Sequence, residues 1–270
     1  MLFRGLISAI GFIVAVPAAA EVSLSQFLGP HGCAIGPSTE AAALGAGYSQ
    51  AGIDDLKIVP EGIVSGQWVF LPEPICQIEL PQVVSEISMD DPEVLAATSA
   101  PDAYAQYGDP GCFLDGEKLR NFLILGRGWD REQMFREYVR FLAAGLMSGE
   151  LRFYSDAPLR TPPGFQMLSG ACAEVTGTDA MAENHNLLTD LFVPFLQAAG
   201  KSEEAANCAE GDVFGTQSWE VIEQLSAGRN TNAHLAFEMQ LITIGAGWYD
   251  GMSSAARGTP RPPLCGVYQE

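Results

Sequence analysis

The sequence predicts an α+β fold, predominantly α-helical with short antiparallel hairpins, stapled by disulfides. Three observations predict it. Apolar residues recur at helical spacing in the middle and last thirds. Short β-prone runs lie between Pro- and Gly-rich breaks. Six cysteines, at 33, 76, 112, 172, 208 and 265, form no C-x-x-C pair. The finer expectation is a set of repeated winged-helix-like units, on element order alone.

The first twenty residues set the compartment. Arg4 is followed by the apolar stretch Leu6 to Val16 and by Pro17-Ala18-Ala19-Ala20, the pattern of a secretory signal peptide with a small-residue cleavage site. The expected mature chain starts at Glu21 and is periplasmic or secreted, with no stable membrane insertion once the leader is gone. No later segment is long and apolar enough to cross a bilayer. In an oxidising compartment an even cysteine count reads first as bridges, and the absence of C-x-x-C argues against a thioredoxin-type or zinc-ribbon site.

A short pattern occurs three times: Leu44-Gly45-Ala46-Gly47-Tyr48, Leu125-Gly126-Arg127-Gly128-Trp129 and Ile244-Gly245-Ala246-Gly247-Trp248. Each copy has one cysteine upstream and one downstream, so one bridge per unit would pair 33 with 76, 112 with 172 and 208 with 265. The competing reading is three unrelated helix ends, since glycine after an aliphatic run is a common helix stop. Three units follow from the first reading: an acidic N-terminal unit over 21–100, an Arg-rich central unit over 111–176 and a C-terminal helical unit over 177–270.

The central unit is the clearest. Asp115 caps a helix running to about Gly126, with Leu119, Phe122 and Leu123 inward. Asp130, with Gln133, caps a second helix that puts Met134, Tyr138, Phe141, Leu142 and Leu146 on one side and Glu132, Arg136 and Arg140 on the other, and Gly149 ends it. Leu151–Tyr154 and Phe165–Leu168 read as strands.

In the first unit, helices are expected from Ser38 or Thr39 to about Gly47 and over Gly52–Lys57. Strands are expected at Ile63–Leu71 and Ile75–Leu80. Asp90–Gly111 reads as a linker with one helical turn at Glu93–Ala97. The last unit opens with the stripe Leu187, Leu188, Leu191, Phe192, Phe195 and Leu196, interrupted by Pro194, which should kink or restart the helix. Helices capped at Ser202 and spanning Gln217–Ala227 and Asn232–Ile244 follow, then a Pro-rich tail over Ser253–Pro263.

The formal net charge of −19 becomes −20 when Arg4 leaves with the leader. Such a chain repels phosphate backbones, which speaks against nucleic acid as a partner. Its cations are concentrated: 7 acids face 8 bases between Gly111 and Arg160, against 13 acids to one base between Glu21 and Pro110. Arg127, Arg131, Arg136 and Arg140, with Trp129, therefore form the best candidate ligand site, able to grip a carboxylate, sulfate or phosphate bidentately. The heavier competing reading is internal pairing: Glu132 lies one turn from Arg136, Glu137 reaches Arg140, and the acidic flanks offer more partners.

Other chemistry is weaker. His31 and Cys33 stand in a Gly/Pro turn and read as a solvent-exposed histidine beside a half-cystine. His234 and Glu238 stand four apart near a helix start, but three histidines in all supply no zinc motif, so no metal is expected. Asp54-Asp55, Asp90-Asp91 and Glu203-Glu204 are sequence neighbours whose side chains diverge. The glycine pairs do not extend to G-x-G-x-x-G, no G-x-S-x-G is present, and no cofactor is expected. Trp129, Trp219, Trp248 and Tyr249 read as core and interface material.

The expectation is an exported, noncatalytic binding or assembly module of the cell envelope, whose partner is an unidentified protein or anionic envelope ligand. Two alternatives stand beside it. One is a hydrolase acting on envelope polymer through carboxylates that meet across a cleft beside Trp129 or Trp248. The other is a thiol enzyme using a free Cys33 or Cys112.

Overall fold

The computed structural model describes residues 22–59, 63–65, 68–72, 74–154, 159–161, 164–177, 179–200 and 232–247. The leader, the Ser202 cap, the helix expected at 217–227, the tail, Cys208, Cys265, Trp219, Trp248 and Tyr249 lie outside the described residues.

A mixed α+β architecture with antiparallel sheets results. The first part contains α1 (Leu24–Leu28), β1 (Ala34–Ile35), α2 (Pro37–Gly45), α3 (Gln50–Lys57), β2 (Ile63–Ser65) and β3 (Trp68–Phe70). The cap residues explain the helix starts. Ser23 Oγ accepts the Gln26 N–H, and Ser49 Oγ accepts that of Gly52. The strands form one antiparallel sheet in the order β1-β3-β2, with Ala34 opposite Phe70 and Ser65 opposite Trp68.

Two strand expectations are corrected here. Ile63–Leu71 is not one strand but two short antiparallel ones, with Ile63 opposite Phe70 and Ser65 opposite Trp68. No strand forms at Ile75–Leu80. Pro72 and Pro74 open a turn in which the Ile75 and Cys76 N–H groups bond the Pro72 carbonyl, and Cys76 is tied to Cys33. The missing sheet partner is β1, too short to show a period.

The rest comprises α4 (Pro92–Ala97), α5 (Gly116–Arg127), α6 (Arg131–Ser148), the hairpin β4 (Leu151–Tyr154) and β5 (Gly164–Met167), α7 (Ala173–Thr176), α8 (Ala180–Gly200) and α9 (Asn232–Gly245). Asp115 and Asp130 cap α5 and α6 by accepting the N–H groups of Lys118 and Gln133. Gly128 and Gly149, at φ 70° and 81°, stop them in the left-handed conformation that glycine adopts at little cost. The expected stripe of α6 is buried in full: Met134, Tyr138, Phe141, Leu142 and Leu146. Leu187, Leu188, Leu191 and Phe192 are buried on α8, which continues through Pro194.

Two hydrophobic clusters result, divided at β1. Successive strand residues face opposite ways, and accordingly Cys33 and Ile35 join Leu28, Ala43, Ile53, Val69, Leu71 and Cys76, while Ala34 joins the large cluster. The large cluster combines α4, α5, α6, the β4–β5 hairpin, α8 and α9. Residues 92–97, read from sequence as a turn within a linker, bury Val94 and Ala97 in it.

The bridges are Cys33–Cys76 and Cys112–Cys172, with Cα atoms 5.7 and 5.9 Å apart. Cys33 and Cys112 both follow a glycine and both hold positive φ, 54° and 66°. The second glycine of each recurring motif does likewise: Gly47 at 95°, Gly128 at 70° and Gly247 at 69°. Each copy ends a helix, respectively α2, α5 and α9, which is the behaviour of a glycine helix stop. Beyond these shared turns the first part and the central part differ, the former carrying a three-stranded sheet and the latter a two-stranded one.

Candidate functional site

The four arginines separate into three environments. Arg127, last residue of α5, faces α4. Its Nε donates to Glu93 Oε1 at 3.1 Å, its other nitrogens reach Asp91 Oδ2 and the Glu86 carbonyl, and its guanidinium lies 5.1 Å from the Trp129 ring centre. With these partners Arg127 joins α4 to α5, and Trp129 is its platform. Arg127 holds the Glu93 carboxyl below its ordinary range. For Asp91 burial pushes the opposite way, and the Ser88 N–H and Arg127 outweigh it.

Arg131 opens α6 and is exposed. Arg136 and Arg140 both face Glu137, an acid only 2% exposed. Arg140 donates to Glu137 Oε1 at 2.8 Å and Arg136 Nε lies 3.5 Å from the same oxygen. Oε2 accepts the Glu86 N–H at 3.3 Å, and the Glu137 carbonyl accepts the Ser85 hydroxyl at 3.4 Å. Glu137 thus fastens the 85–86 strand of chain to α6, and its two arginines satisfy a buried charge that would otherwise be costly.

Arg136 and Arg140 retain a second face. Together with Glu132, Phe135, Val139, Ile244 and Gly247 they line a cleft of about 490 Å³ between α6 and the C-terminal end of α9. The two helices meet closely enough there that a Cβ on Gly245 would stand 2.4 Å from Ala143 Cβ. Phe135 is 60% exposed and Arg136 46%. The cleft presents an aromatic ring, an aliphatic wall, the Glu132 carboxylate and two guanidinium groups already paired with Glu137, whose remaining N–H groups suit an anionic head on an apolar body.

Neither a family model, nor a curated protein, nor a solved structure matches the chain.

Several of the remaining candidates have structural partners. Cys33 and Cys112 are half-cystines, and the described residues include no free cysteine, which overturns the thiol-enzyme alternative at those positions. His31 is half-buried rather than solvent-exposed: it packs against Phe27 at 5.0 Å, and burial lowers its pKa. His185 Nδ1 contacts the Met147 carbonyl, and Asn184 Nδ2 donates to Leu151 O at 2.7 Å and to Gly149 O at 3.4 Å. These two residues of α8 close the end of α6. Asp54 accepts from Gln50 and Asp91 from the Ser88 N–H. Glu203 and Glu204 lie outside the described residues. The acids brought toward Arg127 over Trp129, Asp91 and Glu93, are both ion-paired. Among the described residues no three His, Cys, Asp or Glu side chains gather as metal ligands.

Two buried acids carry more than sequence reasoning assigned them. Glu137 was expected only as a partner of Arg140, and Glu238 only as a neighbour of His234. Both occupy positions on an apolar stripe: Glu137 stands three after Met134 and four before Phe141, Glu238 three after Leu235 and four before Ile242. An acid at a stripe position is the available signal.

Proposed function

We propose that the protein is an exported, noncatalytic binding or assembly module of the cell envelope, and that it takes an anionic group attached to an apolar body in the α6–α9 cleft. The single observation that carries this reading is the placement of Phe135, Arg136 and Arg140 around one opening walled by Val139 and Ile244. Guanidinium groups bind carboxylates, sulfates and phosphates with directional hydrogen bonds, and an adjacent aromatic supplies apolar contact area. Arg127 and Trp129 leave the proposed ligand set, since their partners are internal. Arg131 stays outside it as an exposed neighbour.

The two bridges suit export into an oxidising compartment. The helix, helix, strand, strand order of α5, α6, β4 and β5 keeps a winged-helix likeness at the level of order alone. In so acidic a chain that likeness carries no nucleic-acid reading.

The test is titration with a panel of phenyl- and alkyl-bearing carboxylates, sulfates and phosphates, followed by NMR at low and high salt. Wild type should bind at least one class in a salt-sensitive way. Phe135→Ser with Arg136→Gln should weaken that binding tenfold or more at unchanged melting temperature, because Arg140 still pairs Glu137. Equal binding by the variant, or no binding by wild type, removes the cleft as a ligand site.

A further inference from the structure

Glu238 lies on α9 where that helix crosses β4. The side chain is 0% exposed. Its Oε1 accepts the Phe153 N–H at 2.6 Å, and among the described residues its Oε2 has no hydrogen-bond partner. The preceding residue, Phe237, packs on the same hairpin, stacked on Phe165 at 6.2 Å and edge-on to Phe153 at 5.3 Å. One carboxyl oxygen therefore serves the contact between helix and hairpin, while the other receives no hydrogen bond from the described residues. A neutral carboxylic acid tolerates that position; an ionised one loses its hydration with too little in return.

We propose that Glu238 is a proton-dependent latch: its neutral form holds α9 against the β4–β5 hairpin, and loss of the proton loosens that contact.

The electrostatic surroundings agree. Burial pushes the Glu238 carboxyl up to about 8, opposed by the Phe153 N–H and by the charge of Arg152. Arg152 is itself held by Gln166, to whose Oε1 its Nε donates at 2.9 Å, and lies over the Tyr154 ring. On α6, residues 141–148 carry no ionisable side chain, and Arg136 and Arg140 stand further along α9 beside Ile244 and Gly247. Glu150, between α6 and β4, accepts the Ser148 hydroxyl. On α8, Glu183 and Asp190 are exposed and His185 is engaged with Met147. His234 stands one turn earlier on α9.

The direction follows from linkage. An undocked α9 would return Glu238 to an ordinary carboxylate near 4.5, whereas the docked side chain keeps its proton to about 8. Between those values the docked form binds one more proton, so docking weakens as pH rises, by about tenfold per pH unit, and levels off above the upper value. Because α9 supplies Ile244 and Gly247 to the α6–α9 cleft, the latch controls one wall of it, but it does not depend on that cleft being a binding site.

The experiment is hydrogen exchange of the intact protein from pH 5 to 9, read by mass spectrometry on peptides covering α9 and β4–β5 and corrected for intrinsic exchange. Opening of α9 should increase with pH up to about 8 and then flatten. In Glu238→Gln, which keeps the acceptor for Phe153 and cannot ionise, the opening should be independent of pH and lower than wild type at pH 8. Infrared difference spectra of wild type at neutral pH should show a protonated carboxyl band, a readout that survives if the variant does not fold. A flat wild-type profile, the same profile in the variant, or no such band overturns the latch.

Discussion

Arg127 Nε stands 3.1 Å from Glu93 Oε1, the contact by which the end of α5 is fastened to the start of α4. The same guanidinium reaches Asp91 and the Glu86 carbonyl, so its removal strands two acids and a carbonyl at once. Arg127→Gln should cost about 1–3 kcal/mol in urea denaturation, while Arg131→Gln, exposed at the start of α6, should change stability by less than about 0.5 kcal/mol. Equal effects would mean that the clasp contributes nothing beyond general charge.

The same clasp sets an acid limb. The Glu93 carboxyl is held below its ordinary value by Arg127, and Asp91 is held below its own by the Ser88 N–H and Arg127 despite burial. Depressed carboxylates contribute stability that is fully present above their unfolded values and lost as pH falls through the folded ones. Wild type should therefore lose stability as pH drops below about 4. Arg127→Gln should show a shallower decline over that window, which denaturation midpoints at several acidic pH values would reveal.

Glu137 offers a sharper stability test than any arginine near it. It is 2% exposed and holds Arg140, Arg136 and the Glu86 N–H together. Glu137→Ala removes the acceptor for all three groups and should cost about 3–5 kcal/mol, the range for breaking a buried ion pair. Arg136→Gln, which leaves the 2.8 Å Arg140 contact in place, should cost under about 1 kcal/mol. Thermal melts of both variants at neutral pH would separate them. A mild effect of Glu137→Ala would mean that water replaces the missing carboxylate.

What the residues disclosed in advance divides along the range of the interactions involved. Both central helices were legible, because Asp115, Asp130, Gly128 and Gly149 are local signals and the α6 stripe is a periodicity. The two bridges observed are those that one bridge per unit would give. Non-local pairing was not legible. β1 has two residues, and the turn after Pro72 replaces an apolar run that could have been a strand. The candidate ligand site fared similarly: four arginines close in sequence were separated by partners 34 to 36 residues away for Arg127 and by the adjacent Glu137 for Arg136. The cleft arises only where α9 returns across α6, a meeting that neither helix announces alone.

The paired glycines of the recurring motif should respond oppositely to alanine. Gly126 lies within α5 with open space around its missing Cβ, so Gly126→Ala should stabilise by about 0.5–1 kcal/mol. Gly128 sits at φ 70°, also in open space, and Gly128→Ala should destabilise by about 1 kcal/mol through backbone conformation alone. Gly149→Ala combines φ 81° with a Cβ that would stand 2.2 Å from the Met181 carbonyl, and should be the worst of the three. Any other order in melting temperature would mean that these turns are not the helix stops described.

The Cys112–Cys172 bridge ties the entry to α5 to the turn after β5 across 60 residues, and Cys112 and Cys172 both pack in the large cluster. The Cys33–Cys76 bridge closes 43 residues and belongs to the small cluster. Loop-closure entropy alone makes the two nearly equal, each contributing about 2–4 kcal/mol, because the dependence on loop length is logarithmic. The surroundings make them unequal. The large cluster draws on five helices and a hairpin, whereas the small one has eight buried residues, Cys33 and Cys76 among them. A Cys33→Ser/Cys76→Ser double variant should therefore unfold the 22–78 region at ambient temperature while α5 and α6 remain protected in hydrogen exchange. Cys112→Ser/Cys172→Ser should instead lower the midpoint of the large cluster without abolishing its cooperative transition. Simultaneous loss of both regions in the first variant would show that Ala34 and Ile78, through which the clusters touch, couple them into one cooperative unit.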